Sequence, residues 1–195
     1  MSAASPLTVE QLTPESFAPF GWVLGKAMKS TADVPFFKDE TLSMWREHLF
    51  DTGAPHETEI IWSNFSDDST IVRTLETRLL TQQAVVPLTG SLIQVVATSN
   101  DAGGPDIDSI RAFEIPIGKG TCVRPGCWHA IRVSKGEVMA FLLSRQSTTF
   151  DWIVHLHTGC PAAESLMNPI TPRQVMSQKS ETEKLSRSRR YFEAA

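Results

Sequence analysis

Turn chemistry recurs through this chain at intervals that leave room only for short extended segments. LTG (88–90), NDAGGPD (100–106), GKG (118–120), RPG (124–126) and SKG (134–136) supply glycines and prolines that punctuate regular structure. Between and around them lie runs rich in β-branched and aromatic residues. These are FGWVL (20–24), EIIWSNF (59–65), QAVVPL (83–88), SLIQVVA (91–97), IRAFEIPI (110–117), HAIRV (129–133), EVMAFLLSR (137–145) and DWIVHLH (151–157). Many short strands at short spacing predict an all-β domain, a sandwich or a barrel. TPESF (13–17) reads as a short helix, with Thr13 as cap and Pro14 at the first helical position. TIVRTLETRLL (70–80) fits two periods. Ile71, Leu75 and Leu79 recur every four residues, as on a helix, whereas Val72, Thr74, Glu76 and Arg78 alternate, as on a strand.

The chain has 195 residues, enough for one domain with its own core. That domain is expected over 1–160. Beyond Pro161 the composition turns to Pro, Ser and charge, so 161–195 reads as a tail, mobile or packed on the barrel or a dimer partner. A net charge of −4 disfavours a nucleic-acid partner, whose phosphates call for a basic face. No apolar run approaches the roughly 20 residues of a membrane helix. The three cysteines, Cys122, Cys127 and Cys160, are odd in number and not in a CxxC arrangement. With a start, MSAASPLTVE, that lacks a basic and apolar signal segment, they lead to the expectation of free thiols in a reducing, cytoplasmic compartment.

One histidine stands out. In GKGTCVRPGCWHAIRV (118–133) a glycine turn leads into a strand, a Pro-Gly turn follows, and the next strand opens on His129. Gly126-Cys127-Trp128-His129 resembles the glycine, two residues and histidine that end the second motif of the cupin barrel. Alternation puts His129, Ile131 and Val133 on one face and Ala130 and Arg132 on the other. The first face is the natural interior, so His129 is expected at the barrel mouth, where it could move a proton or hold a ligand. The competing reading is a buried histidine satisfied by a carbonyl. A metal-binding cupin also needs His-x-His and Glu upstream; LETRLLTQQAVVPLTG (75–90) has no such pair, and Gln83 stands in the place of the glutamate. No metal or other cofactor is therefore expected, with a divalent ion left as the alternative. His155 and His157 in DWIVHLH would share one face if that run were a strand.

The order and spacing of several segments make the chain similar to the ureidoglycolate lyase family (older name ureidoglycolate hydrolase), from about residue 8 to about 158. ESFAPFGWVL, the Pro-Asp and Arg-Ala-Phe of PDIDSIRAF (105–113), the GKG turn and the Trp-His of GCWHAI carry the resemblance. So do Glu76, Gln83, Ala84, Pro87 and Gly90. Three positions depart from the family pattern: Arg78 and Ala130 stand where the family has histidines, and Trp22 where it usually has Asp.

The resemblance implies a cupin-like double-stranded β-barrel of jelly-roll type, with minor helices, assembled as a homodimer. It implies an amidine-lyase reaction of purine or allantoin breakdown, in which ureidoglycolate loses urea and leaves glyoxylate. That substrate is a small carboxylate, and its cleavage needs proton transfer and a cation. His129 is the first candidate for proton transfer and Glu76 the second; Arg78 would clamp the carboxylate and Gln83 would bond the urea or hydroxyl group. Trp128 is expected to wall the ligand site, and His48 in MWREHLF to reach it. Two other readings stand beside this one. The first is a different lyase, isomerase or hydrolase for another small hydroxy- or keto-acid; the second is a non-catalytic binder.

Overall fold

A computed structural model of the chain describes residues 5–26, 36–53, 57–160 and 163–176. The elements in order are β1 (Leu7–Gln11), α1 (Pro14–Phe17), β2 (Gly21–Leu24), β3 (Phe36–Lys38), β4 (Ser43–Trp45), β5 (Thr58–Phe65) and β6 (Ile71–Arg78). Then come β7 (Gln83–Pro87), β8 (Leu92–Ala97), a 3-10 turn (Ile107–Ser109), β9 (Arg111–Ile115), β10 (Gly120–Val123), β11 (Trp128–Val133), β12 (Val138–Arg145), α2 (Gln146–Thr158) and β13 (Ser165–Met176). Six strands close into a ring in the order β1, β13, β6, β11, β8, β9, while β2, β10, β7, β12 and β5 form a second sheet. β3 and β4 make a separate hairpin. The fold is the all-β, cupin-like jelly roll expected.

Alternation divides the apolar residues between two cores. Leu7, Val9, Val72, Leu75, Val95, Ala97, Ala112, Trp128, Ala130 and Val175 form one cluster drawn from all six strands of the ring, and it fills the ring. Leu92, Ile115 and Val133, from the opposite face of the ring, pack with Val85, Val138, Ala140 and Leu142 of the second sheet. Thr121 of β10 donates to Gln94 of β8 at 2.7 Å, a polar tie between the sheets that leaves neither buried group unpaired. α1 begins as its sequence foretold. Thr13 and Ser16 form a reciprocal capping box, and Phe17 turns inward onto Phe113 with ring centroids 5.4 Å apart. Gly21 has a steric reason to be glycine: a Cβ there would lie 2.0 Å from the Cys122 carbonyl oxygen on the paired strand.

Three expectations are corrected or decided. Residues 70–80 are extended, because β6 pairs with β11 on one side and β13 on the other. DWIVHLH is helical, part of α2. The residues that α2 buries or half-buries, Ser147, Thr148, Thr149, Asp151, Trp152 and His155, fall on one broad side of the helix but are mostly polar, so no apolar period marks them. Gly159 ends the helix in the left-handed conformation, φ 68°, with its N–H on the His155 carbonyl. The third correction concerns the tail. Residues 165–176 are β13, paired antiparallel with β6 and parallel with β1, whereas 177–195 lie outside the described residues. Pro169 and Pro172 argue against a strand by composition. The ladder accommodates them with a shift of register between Pro169 and Arg173.

β13 closes the ring, so a chain ended after Gly159 should leave β1 and β6 without that neighbour. The expected outcome is loss of the cooperative thermal transition in circular dichroism; a transition like that of the full chain would show that the ring does not need β13.

Candidate active site

β6 and β11 meet at one pair of residues, with Glu76 opposite His129. Both project from the face of the ring turned toward the second sheet. The same alternation sends Thr74, Glu76 and Arg78 to that face and Leu75 and Thr77 to the other. There a cavity of about 500 Å³ opens between the sheets and is walled by α2. Glu76, Arg78, His129 and Gln83 all line it, and Thr149, Trp152 and Met167 complete that end.

His129 is almost wholly buried, at 1 % exposure. Its Nδ1 lies 3.1 Å from the Cys127 carbonyl oxygen. A carbonyl can only accept, so Nδ1 carries the hydrogen and Nε2 is left as the basic atom. Nε2 is 3.4 Å from Glu76 Oε1 and otherwise lacks a hydrogen-bond partner. The same carboxylate oxygen lies 3.3 Å from Arg78 Nη2. Burial pushes the Glu76 carboxyl up, but the charge of Arg78 and the hydrogen bonding and charge of His129 outweigh it, and the carboxyl sits below its ordinary 4.5. Burial lowers the Arg78 guanidinium, and the carboxylates of Glu76 and Asp151 oppose that.

Arg78 is held from α2 as well. Its guanidinium carbon stands 4.1 Å from the centre of the Trp152 ring, and its Nη1 is buried without a partner. Asp151, the neighbour of Trp152, bonds Ser165 Oγ at 2.6 Å and the Ala163 N–H at 2.7 Å, fixing the helix to β13. Glu164 accepts from Ser147 and Thr148 at the first turn of α2 and lies 3.5 Å from Arg145 Nη2. Trp152 was missed by sequence reasoning because its segment was read as a strand. Ser63 and Phe65 also line the cavity, and the alternation in EIIWSNF was the signal that could have found them.

Two expected site residues lie elsewhere. Trp128 is adjacent to His129 on a strand and so faces the opposite way, into the ring core, with its Nε1 donating to Ser99 Oγ at 3.1 Å. His48 bonds Gln82 Oε1 through Nε2 at 2.8 Å, and its ring lies 4.4 Å from that of Trp22. Nor do His155 and His157 pair: on a helix, residues two apart point about 200° apart. His155 is buried against Trp152, and His157 is exposed. A metal finds poor support beside His129, since the one carboxylate there already shares its oxygen with the Arg78 cation.

With this geometry in view, a family profile described as ureidoglycolate lyase matches residues 4–153. The chain belongs to the ureidoglycolate lyase family. It is 35 % identical over 131 residues to the ureidoglycolate lyase of Stutzerimonas stutzeri (strain A1501), covering 63 % of this chain and 72 % of that one. It is 34 % identical over 131 residues to the ureidoglycolate lyase of Pseudomonas aeruginosa (strain LESB58), covering 63 % and 73 %. Among solved structures, a dTDP sugar isomerase from Desulfovibrio desulfuricans G20 aligns at 10 % identity and a TM-score of 0.40, over 70 % of this chain and 81 % of that one. In this member of the ureidoglycolate lyase family, the arginine at position 78 is a built part of the cavity wall. Among the described residues, no helix is long and apolar enough to cross a membrane.

Two outcomes follow from the burial and charge of these groups. Burial pushes the Cys122 and Cys127 thiols up to about 12, so iodoacetamide at neutral pH should label Cys160 alone in the folded protein, as read by mass spectrometry. Labelling of Cys122 before unfolding would contradict the packing. The folded carboxyl of Glu76 titrates below 4.5, so the stability it contributes is present above that pH and lost as pH falls through the folded value. Urea midpoints of wild type and Glu76→Gln should therefore differ at neutral pH and converge below pH 4.5; a gap independent of pH would remove the charge from the account.

Proposed function

We propose that the chain is a ureidoglycolate lyase that releases urea and leaves glyoxylate. The observation that carries this reading is the convergence of His129, Glu76 and Arg78 on one cavity wall in a chain of that family. The substrate is a carbinol bearing a carboxylate on one side and a ureido nitrogen on the other. His129 Nε2 takes the hydroxyl proton, the carbonyl of glyoxylate forms, and the C–N bonding pair leaves with the nitrogen. The imidazolium, formed beside the Glu76 carboxylate, returns the proton to that nitrogen. Arg78 holds the substrate carboxylate through the buried Nη1 that the protein leaves unpaired, and Trp152 keeps the guanidinium plane in place. Gln83 bonds the ureido group. No cofactor enters this scheme. A homodimer in the cytoplasm is the proposed assembly and location, and sedimentation velocity tests the first.

The test is glyoxylate release from racemic ureidoglycolate, with chelator-treated protein and with added divalent metal. His129→Ala should lower kcat by about 10²–10⁴-fold while keeping the thermal midpoint near that of wild type. Arg78→Ala should raise KM more than it lowers kcat, because a carboxylate contact is made in both ground and transition states. An unchanged KM would sink the clamp, and an early-melting His129→Ala would return that histidine to the core.

A further inference from the structure

Arg78, Glu76 and His129 gather at one end of the cavity, and toward the other the lining is largely apolar; the charged residue there, Arg132, has its guanidinium bonded to Asp67 and to the Ile131 carbonyl oxygen. Along β6 the cavity-facing residues run Arg78, Glu76, Thr74, each about 6.6 Å from the next. Beside Glu76 stands His129, and two residues further along β11 the same face carries Ile131. Ile61 and Phe65 of β5 and Leu142 of β12 close that end, continuous with the core between the sheets. A substrate laid along this row has its carboxylate at Arg78 and its carbinol at His129 and Glu76. The substituent on its nitrogen then points at Ile131, Ile61 and Phe65.

In ureidoglycolate that substituent ends in an amino group, which gains little from an isoleucine and phenylalanine wall. The whole molecule has roughly nine non-hydrogen atoms, whereas cavities of about 300–1,000 Å³ suit ligands several times larger. The 500 Å³ found here falls in that range.

We propose that the site also cleaves N-acyl-α-hydroxyglycines whose acyl group is an apolar chain. The inference rests on the lyase reading above. The reaction has the same balance. The hydroxyl proton goes to His129, the carbon–oxygen double bond of glyoxylate forms, and the C–N bond breaks with its electron pair on nitrogen. The returned proton then completes a primary amide, and no oxidant, reductant or second substrate is consumed. Ser63 and Thr74 offer the hydroxyls nearest the acyl carbonyl, and the alkyl chain lies among Ile61, Phe65, Ile131 and Leu142.

The experiment uses the purified full chain with ureidoglycolate and with acetyl, butanoyl and hexanoyl α-hydroxyglycine. Primary amide or urea is measured by mass spectrometry, with His129→Gln to set the background of spontaneous decay. The matching N-acylglycines, which lack the reacting hydroxyl, are measured as competitive inhibitors. Enzymic release should rise with chain length, by about fourfold in kcat/KM per buried methylene until the cavity is filled, and inhibition should tighten in parallel. Phe65→Trp, which shortens the apolar end, should move the optimum toward shorter acyl groups. Cleavage of ureidoglycolate with neither cleavage nor inhibition in the acyl series would overturn this inference and leave the proposed function standing. Cleavage of the acyl series alone would support it and remove ureidoglycolate as the substrate. Cleavage of neither would overturn both.

Discussion

Closure of the six-stranded ring is the constraint on which the rest of the molecule depends. β1 pairs in parallel with both β9 and β13, so no strand of the ring is left as an edge. Once closed, the ring must fill its interior, and it does so with the apolar residues of one face of every strand. Chemistry on β6 and β11 is then confined to the other face. Trp128 and His129 show the division most plainly, since two neighbours in sequence serve two separate compartments.

The site on that second face is held by opposed charges in a poorly hydrated place. Arg78 is only 5 % exposed, and its desolvation is compensated by Glu76, by the face of Trp152 and by the field of Asp151. Glu76 in turn serves two cations or potential cations through one oxygen. α2 is part of this arrangement because Asp151 and Glu164 tie the helix to β12 and β13, and Trp152 is placed by those ties. The helix thus sets the position of the guanidinium without contributing a charge of its own to the cavity wall.

Much of this was legible in residues 59–145. There strand-like runs are broken by glycine turns and the alternation in β11 gives its faces, whereas 70–80 fits a helix period as well as a strand period and only its pairing with β11 and β13 decides it. His129, Glu76, Arg78 and Gln83 came from that region, and all four line the cavity. What was hidden depends on distant partners. α2 buries Thr148 and His155, neither of which registers as hydrophobic, so its helical period was silent. β13 contains two prolines, and only the pairing with β6 and β1 makes it a strand. His48 was drawn toward the site by a loose alignment, while its hydrogen bond to Gln82 and its stacking on Trp22 could not be inferred from spacing.

The irregular stretch opposite Pro169–Arg173 has a consequence for how such a chain can change over time. Val72 and Leu75 are three residues apart, yet both sit in the ring core, so the phase of β6 slips by one residue between them. A length change confined to that stretch can be absorbed where the ladder is already broken. The same change a few residues later would exchange Glu76 and Arg78 with the ring-facing Leu75 and Thr77, turning the cavity wall inside out. Insertions and deletions are thereby sorted by position along a single strand, with one short buffer zone and one frame that admits no slippage.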